Sequence, residues 1–545
     1  MSSTTDVLVV GAGPVGLFLA NLLGQQGVDV VLAEKSDELV DYPRAVGIDD
    51  EALRAMQAAG LVDAVLPHTI PDQKIYMVNG DRAILSEVDP TTRELGWPRR
   101  NGFVQPLVDE VLLSGLGRFP SVAVRFGTEV VDLVEGRDGV VASLAGGEEL
   151  RARYVVAADG GASPTRKRLG ISFEGETRPS DGLVIDVAND PVGTPHAVFG
   201  GDPVRSYASI ALPHGIRRWE FTLFEHEGEA EAQDDEFVFG LLAPHVPDPR
   251  KLDFIRRRVY RHHARVAGRF RVGRVFLAGD AAHVMPVVGG QGWNSGIRDA
   301  FNLGWKLAAV VKGLAADELL DTYEVERLGH ATRMVAVSLG MANEMTDHDP
   351  KRAAERDRVA ANRTAEEREA QAQQRFKPQP KFDAGVVVKT PLPTFKSLPA
   401  RDVPRTAGTI FPQPRVTDAE GVPALLDDAT GKGWRIVCWN NDPVEFLTDT
   451  QRVVLARMRA RLVQVVPTTQ LPWARENSGE GVTVVGDLGG DGSLQAWFDA
   501  RPVGAVVVRP DHVVAAECLA QELSDVLDRV LEAAAVLPLP AREVV

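Results

Sequence analysis

Cysteine is nearly absent: Cys438 and Cys518 are the only two in 545 residues. Two thiols cannot build a disulfide framework or a cysteine-based zinc site. Thiols this sparse suit a reducing cytoplasm, the expected location. Any redox chemistry then falls to a bound cofactor. Long apolar runs are missing as well, and none approaches the roughly 18 residues of a membrane span. Basic charge is in deficit, with 60 Lys and Arg against 76 Asp and Glu, a net −16. That sign argues against coating nucleic acid, though it leaves room for one local cationic pocket. The first residues carry no basic segment or cleavage pattern ahead of Asp6-Val-Leu-Val-Val10, so export is not expected. No internal repeat is visible. What is present is ordinary globular composition, 44% hydrophobic and 25% charged. At about 100–200 residues per domain, the length predicts three or four domains.

The N-terminal stretch alternates strand and helix signals. Asp6 to Val10 reads as a buried parallel strand, Val15 to Gln26 as a helix and Val28 to Glu34 as the next strand, a βαβ unit. Val122 to Leu144 has the turns and alternation of a small antiparallel sheet. Tyr154 to Ala158 and Arg274 to Ala278 are further buried strands, ending at Asp159-Gly160 and Gly279-Asp280. Residues 181–225 are β-rich, while Ala300 to Lys312 and Leu319 to Met345 read as helices. Asp347 to Arg375 is charged, as in a solvated helix, and Lys377 to Pro404 is a proline-rich linker. Fresh strand signals at 435–438, 461–466 and 504–508, with a helix from Cys518 to Ala534, predict a separate α/β domain.

Gly11-x-Gly13-x-x-Gly16 lies between the first strand and helix, and Glu34 ends the next strand. Glycines there allow the tight turn and close approach to a pyrophosphate, and the acid would accept hydrogen bonds from a ribose. Strand, helix and acid agree, so dinucleotide binding is the reading preferred over a structural turn. The motif alone does not separate FAD from NAD. Two later strand ends, Asp159-Gly-Gly-Ala-Ser163 with Arg166, and Gly279-Asp280-Ala-Ala-His283, bear on that choice. An acid at the end of a parallel strand points into the ligand crevice, where Asp280 is placed for a polyhydroxyl chain such as ribityl. Each could instead be a helix N-cap.

Together these three segments resemble the signatures of the single-component flavoprotein aromatic hydroxylases. The similarity runs on through Met285-Pro-Val-Val-Gly-Gly-Gln-Gly-Trp-Asn294 to Leu307. Asp41-Tyr-Pro-Arg44, Gly96-Trp-Pro-Arg-Arg-Asn101 and Asn189-Asp-Pro191 with Thr194-Pro-His196 are similar to the branch that acts in bacterial phenylpropanoid catabolism. The resemblance implies an α/β fold with three parts. A discontinuous Rossmann-like FAD-binding domain covers 1–170 and 271–345. A β-rich substrate domain covers 171–270, and a thioredoxin-like domain covers 405–545 after the charged helix and linker of 346–404. It implies FAD contacts from Gly11, Gly13, Gly16, Glu34, Lys35, Arg44, Gln105, Asp159, Gly279, Asp280, Gly292, Trp293 and Asn294. Arg44 would also bear on nicotinamide binding. A helix beginning at Gly292 would set its N-terminus against the flavin, where it favours the negative charge of the reduced state. Val287 departs from the para-hydroxybenzoate enzyme, which has a second proline there.

The implied reaction uses NADH, rather than NADPH, and O₂ to hydroxylate 3-(3-hydroxyphenyl)propionate, with 3-hydroxycinnamate as a further substrate, ortho to the phenol through a flavin C4a-hydroperoxide. A different phenol, such as 3-(2-hydroxyphenyl)propionate or a polyketide, and a non-catalytic flavoprotein are the rival readings. No Trp-x-Trp-x-Ile-Pro segment supports a halogenase. No second Gly-x-Gly-x-x-Gly follows a strand, so the nicotinamide must approach without its own nucleotide fold. Within 171–270, an aryl propionate needs a cation for its carboxylate and an apolar slot for its ring. Arg205, Tyr207 and His214 are the substrate candidates, Tyr207 and His214 being the catalytic partners of the phenol. Strand alternation would put Arg205 and Tyr207 on one face. Arg217 and Arg218 read as solvated surface groups, and His283 as a structural histidine. Cys438 is followed by Trp439 and Asn440, with no Cys-x-x-Cys, so the last domain serves packing or a dimer interface and no redox role.

Overall fold

The computed structural model describes residues 3–89, 91–373, 377–391 and 405–538. Residues 392–404 of the expected linker lie outside them. The chain divides into two compact units. The first holds Met1–Thr92, Pro98–Ala300 and Ala331–Pro378, and the second holds Arg93–Trp97, Phe301–His330 and Gln379–Val545.

In the first unit, an eight-stranded sheet has a parallel centre. Ser3–Val10 lies between Glu149–Ala157 and Val30–Ala33, which are joined on their outer sides by Val275–Leu277 and Val122–Arg125. The central strands are short and apolar because both faces are covered. Leu8, Val10, Val31, Ala33 and Val155 share one core with the hairpin residues Val140 and Ala142. The hairpin Val130–Gly136 and Gly139–Leu144 is antiparallel, as expected. Val122–Arg125 is not part of it; this strand pairs in parallel with Val30–Ala33.

A second eight-stranded sheet forms the β-rich layer. Its order is His283–Val284, Asp253–Ala267, Phe173–Ala188, Ile216–Thr222, Tyr207–Leu212, Ala197–Gly200, Ile75–Val78 and Ile84–Val88. Three of these strands come from outside 171–270. Arg217 and Arg218, read as solvated, are buried instead. Arg217 pairs with Asp190 at 2.6 Å and Arg218 with Asp186 at 2.7 Å, both partners more than 25 residues away in sequence. The charged segment 347–373 forms helices Pro350–Ala361 and Ala365–Gln373. It is anchored as well as solvated: Arg356 donates to the Gly201 carbonyl at 2.8 Å, and Asn79 to Asp357 at 2.9 Å.

The second unit has a seven-stranded sheet, its parallel strands Arg435–Trp439, Arg461–Pro467 and Val482–Asp487 flanked by antiparallel ones. Cys518 ends the strand Val514–Cys518, and the expected helix begins only at Leu523. Ala505 pairs with both Cys438 and Cys518. Both thiols are buried. Burial pushes the Cys518 thiol up to about 12 and the Cys438 thiol further still. A buried ionic cluster ties the unit together: Glu326 accepts from Lys306 at 2.8 Å and from both terminal nitrogens of Arg509 at 2.7 and 2.8 Å. Arg509 also pairs with Asp511.

Candidate functional site

The carboxyl ends of the parallel strands converge on one cleft, where an open α/β sheet binds its ligand. Gly11 follows the first strand at φ +107, and a Cβ there would lie 2.4 Å from the Ala158 carbonyl oxygen. A Cβ on Gly16 would lie 2.0 Å from the Gly11 carbonyl oxygen. Gly13 meets nothing within 4 Å, so the space above it is free for a ligand. Pro14 opens helix Pro14–Gln25, whose first amides point into that space.

Two cavities, of about 250 and 240 Å³, share Gly13, Pro14, Arg44, Gln105, Ala158 and Gly160. The first is also lined by Gly11, Glu34, Lys35, Asp109 and Asp159. Glu34 is positioned by the Ala12 and Ser36 amides, each donating to it at 2.9 Å. Asp159 accepts from the Thr165 amide at 3.1 Å, and its other oxygen is buried with no partner in the protein. The second cavity adds Val46, Gly47, Arg100, Phe199, Ile210, Glu220, Asp280, Met285, Pro286, Gly292 and Trp293. Asp280 is open to this cleft. The surrounding protein still pushes its carboxyl up, against the pull of His283 and Arg44.

The glycine cradle, the unpartnered Asp159 oxygen and the shared lining of the two adjacent cavities fit an extended dinucleotide. Gly11, Gly13, Glu34, Lys35 and Asp159 line one end. Asp280, Gly292 and Trp293 lie at the other end. Arg44 and Gln105 stand at the junction: the Gln105 side-chain oxygen accepts from the Arg44 and Ala45 amides at 3.1 and 2.8 Å, which fixes the Arg44 loop.

Three of the expected residues act behind the cleft. Gly16 packs helix on strand. Gly279 adopts φ +62 beside Val15. Asn294 accepts from the Asp49 amide at 3.1 Å and donates to the carbonyls of Gly47 at 3.0 Å and Gly290 at 2.7 Å. Arg166 is a buried staple, donating to the Ala281 and Gly161 carbonyls at 2.9 Å each. His283 is buried against Asp299 at 2.7 Å, which also accepts from the Gly279 amide at 3.0 Å, a structural placement. The helix expected directly after Gly279-Asp280 is a short 3-10 turn, Gly279–Ala281; the long helix starts at Gly292.

The substrate candidates are corrected by the sheet register. Tyr207 does not line the cavity. Its ring lies over Gly200, where a Cβ would come within 2.1 Å, and packs edge-on to His245 with centroids 4.3 Å apart. Tyr207 belongs to the core with Trp219 and Phe221 on the opposite face. Arg205 lies just before the strand and makes two 2.7 Å bonds to Glu227 over the Phe224 ring. His214 sits in an exposed turn at φ +62, its Nε2 3.1 Å from His68 Nδ1. The alternate positions face the cavity: Ile210 on Tyr207–Leu212, and Glu220, which pairs with Ala208 in the register. The parity of Ile216–Thr222 was the available signal for Glu220, once the inward face is known.

The family model for the FAD binding domain matches residues 4–338. This chain belongs to the FAD-binding aromatic hydroxylase family. It is 47% identical over 525 residues to the 3-(3-hydroxy-phenyl)propionate/3-hydroxycinnamic acid hydroxylase of Mycobacterium sp. (strain KMS), covering 96% of this chain and 90% of that one. The protein of the same name from Escherichia coli O8 (strain IAI1) is 43% identical, with 97% and 94% covered. The flavin-dependent monooxygenase PieE, solved in complex with FAD and substrate, shares the fold at a TM-score of 0.78 and 22% identity, with 97% and 99% covered. Residues 408–533 match the HcaD C-terminal domain model.

Proposed function

We propose that this hydroxylase acts on 3-(3-hydroxyphenyl)propionate and 3-hydroxycinnamate, placing the new hydroxyl ortho to the existing one. The observation that carries the reading is 43–47% identity, over nearly the whole chain, to relatives bearing that name. In the net reaction one atom of O₂ enters the ring, the other leaves as water, and a reduced nicotinamide, by preference NADH, is oxidised. The chemistry supplied by FAD when bound is acceptance of that hydride and activation of O₂. The chain's part is positioning and exclusion of water. Val46, Phe199, Ile210, Met285 and Pro286 make an apolar slot for the ring. Arg44 and Arg100 are the cations on the cavity wall, and Arg100 Nε is buried without a partner, which suits a substrate carboxylate. The N-terminus of helix Gly292–Val311 favours negative charge on the isoalloxazine. The last domain is read as a thioredoxin-like packing module or dimer interface in a cytoplasmic enzyme.

The test is a substrate panel on FAD-reconstituted protein: the 3-hydroxyphenyl and 2-hydroxyphenyl propionates and a polyketide phenol, each with NADH and with NADPH. Nicotinamide oxidation and product identity are both scored. Formation of 3-(2,3-dihydroxyphenyl)propionate with NADH is expected. Nicotinamide oxidation without that product would refute the substrate assignment.

A further inference from the structure

Glu220 is a carboxylate on the wall of the flavin-side cavity. Its side chain is 12% exposed, and that exposure is to the cavity. Its Oε2 accepts from the Tyr260 hydroxyl at 3.2 Å, and Arg218 Nη1 stands 3.7 Å from Oε1. Tyr260 is built in for this contact: its ring lies over Gly182, where a Cβ would come within 2.6 Å. Arg218 is committed to Asp186 through two bonds, at 2.7 and 2.9 Å, and to the Pro43 carbonyl at 2.6 Å. Arg256 is likewise held by Asp186, at 3.0 Å. The Arg218 guanidinium is therefore occupied, Arg256 donates through Nη2 to Asp186 and the Pro43 carbonyl, and Glu220 keeps acceptor capacity toward the cavity.

We infer that Glu220 takes the proton from the substrate's ring hydroxyl, an assignment that rests on the hydroxylase reading above. The O–H bond breaks toward the carboxylate, and its electron pair stays on oxygen. That pair raises electron density at the ortho carbon, which bonds to one oxygen atom of the activated O₂ as the O–O bond breaks. As the ring regains aromaticity its displaced hydrogen leaves as a proton to the second oxygen atom, which departs as water, and the Glu220 carboxyl returns its own proton to the phenolic oxygen. The carboxylate is restored for the next cycle. Among the described residues, and apart from the two arginines, Tyr260 and Asp186, the charged groups lining this space are Arg44, Arg100 and Asp280. Burial pushes the Glu220 carboxyl up, against the pull of Arg218 and the Tyr260 hydrogen bond. A raised carboxyl is a stronger base, closer to what a phenol requires.

The test uses FAD-loaded Glu220→Gln and Tyr260→Phe proteins, with 3-(3-hydroxyphenyl)propionate and an ortho-fluorinated analogue whose hydroxyl is more acidic. Product is measured across pH, beside FAD content and substrate Kd. Glu220→Gln is expected to retain FAD and bind substrate while product formation falls about 100-fold or more. The deficit should shrink with the fluorinated analogue and at high pH, where the phenol ionises without help. The acidic limb of the pH profile should disappear. Tyr260→Phe should shift that limb and lower product formation less. A Glu220→Gln enzyme with the parental profile would overturn the inference. So would a deficit equal for both substrates at every pH, which marks a packing role. If the parent protein itself makes no catechol from either compound, it is the substrate reading that fails.

Discussion

Asp109 links stability, cofactor binding and pH. It is buried at the edge of the nucleotide-side cavity, where its Oδ2 accepts from the Gln105 side-chain amide at 3.1 Å. Its Oδ1 has no partner. Burial pushes the carboxyl from its ordinary 3.8 up to about 7, against the Gln105 hydrogen bond and the Arg44 charge. In the folded protein Asp109 therefore holds a proton that the unfolded chain has already lost. Stability from this group is fully present below pH 3.8 and falls as pH rises toward 7. Moving a carboxyl that far corresponds to roughly 4 kcal/mol. Asp109→Asn keeps the shape and the acceptor for Gln105 but cannot ionise. Urea unfolding followed by tryptophan fluorescence, at intervals from pH 5 to 8, reads the difference between the two proteins. The variant's advantage should grow by about 1 kcal/mol or more per pH step up to 7 and then level off. An anion at this position also opposes a pyrophosphate, so FAD affinity of the parent should weaken across the same interval while the variant's stays level. Parallel stability profiles from pH 5 to 8 would refute the reasoning.

Gly16→Ala must displace backbone, given the 2.0 Å approach to the Gly11 carbonyl, and should purify with little flavin absorbance per chain. Full FAD content would show that helix and strand can separate at no cost. Tyr207→Phe should leave hydroxylation at the parental level, because its ring faces away from the cavity; a large loss in product assays would return it to the site. Glu326→Gln leaves Lys306 and Arg509 short of one counter-charge in a buried cluster, a cost of about 3–5 kcal/mol. It should appear as a lower urea midpoint for the C-terminal unit.

The convergence of the glycine and acid motifs on one cleft was legible because their signals are local. Gly11, Gly13 and Glu34 follow consecutive elements, and Asp159 and Asp280 each follow an apolar strand. The ends of a parallel sheet all open on one crevice, so short motifs far apart in sequence report one place. The substrate end was not legible for the opposite reason. Alternation says that Tyr207, Ser209 and Ala211 share a face; it does not say which face looks at the flavin. A choice wrong by one residue inverts the wall, naming Tyr207 where Ile210 and Glu220 face the cavity. The buried arginines were misread because Asp190 and Asp186 become their partners only when strands meet. Cys518 was assigned to a helix because an apolar strand and the helix after it are separated by only a short turn, Ala520–Glu522.

Oxygen-activating flavoenzymes shed hydrogen peroxide whenever turnover uncouples, so such a protein is its own nearest oxidant target. Peroxide attacks the thiolate, and here both thiols sit inside a sheet that holds them protonated. One sulfur that does line the cavity is the Met285 thioether. Oxidative ageing of this enzyme should therefore reach this cavity wall, as a polar sulfoxide among apolar groups, and be reversible by methionine sulfoxide reductase without any thiol reductant acting on the protein's own cysteines.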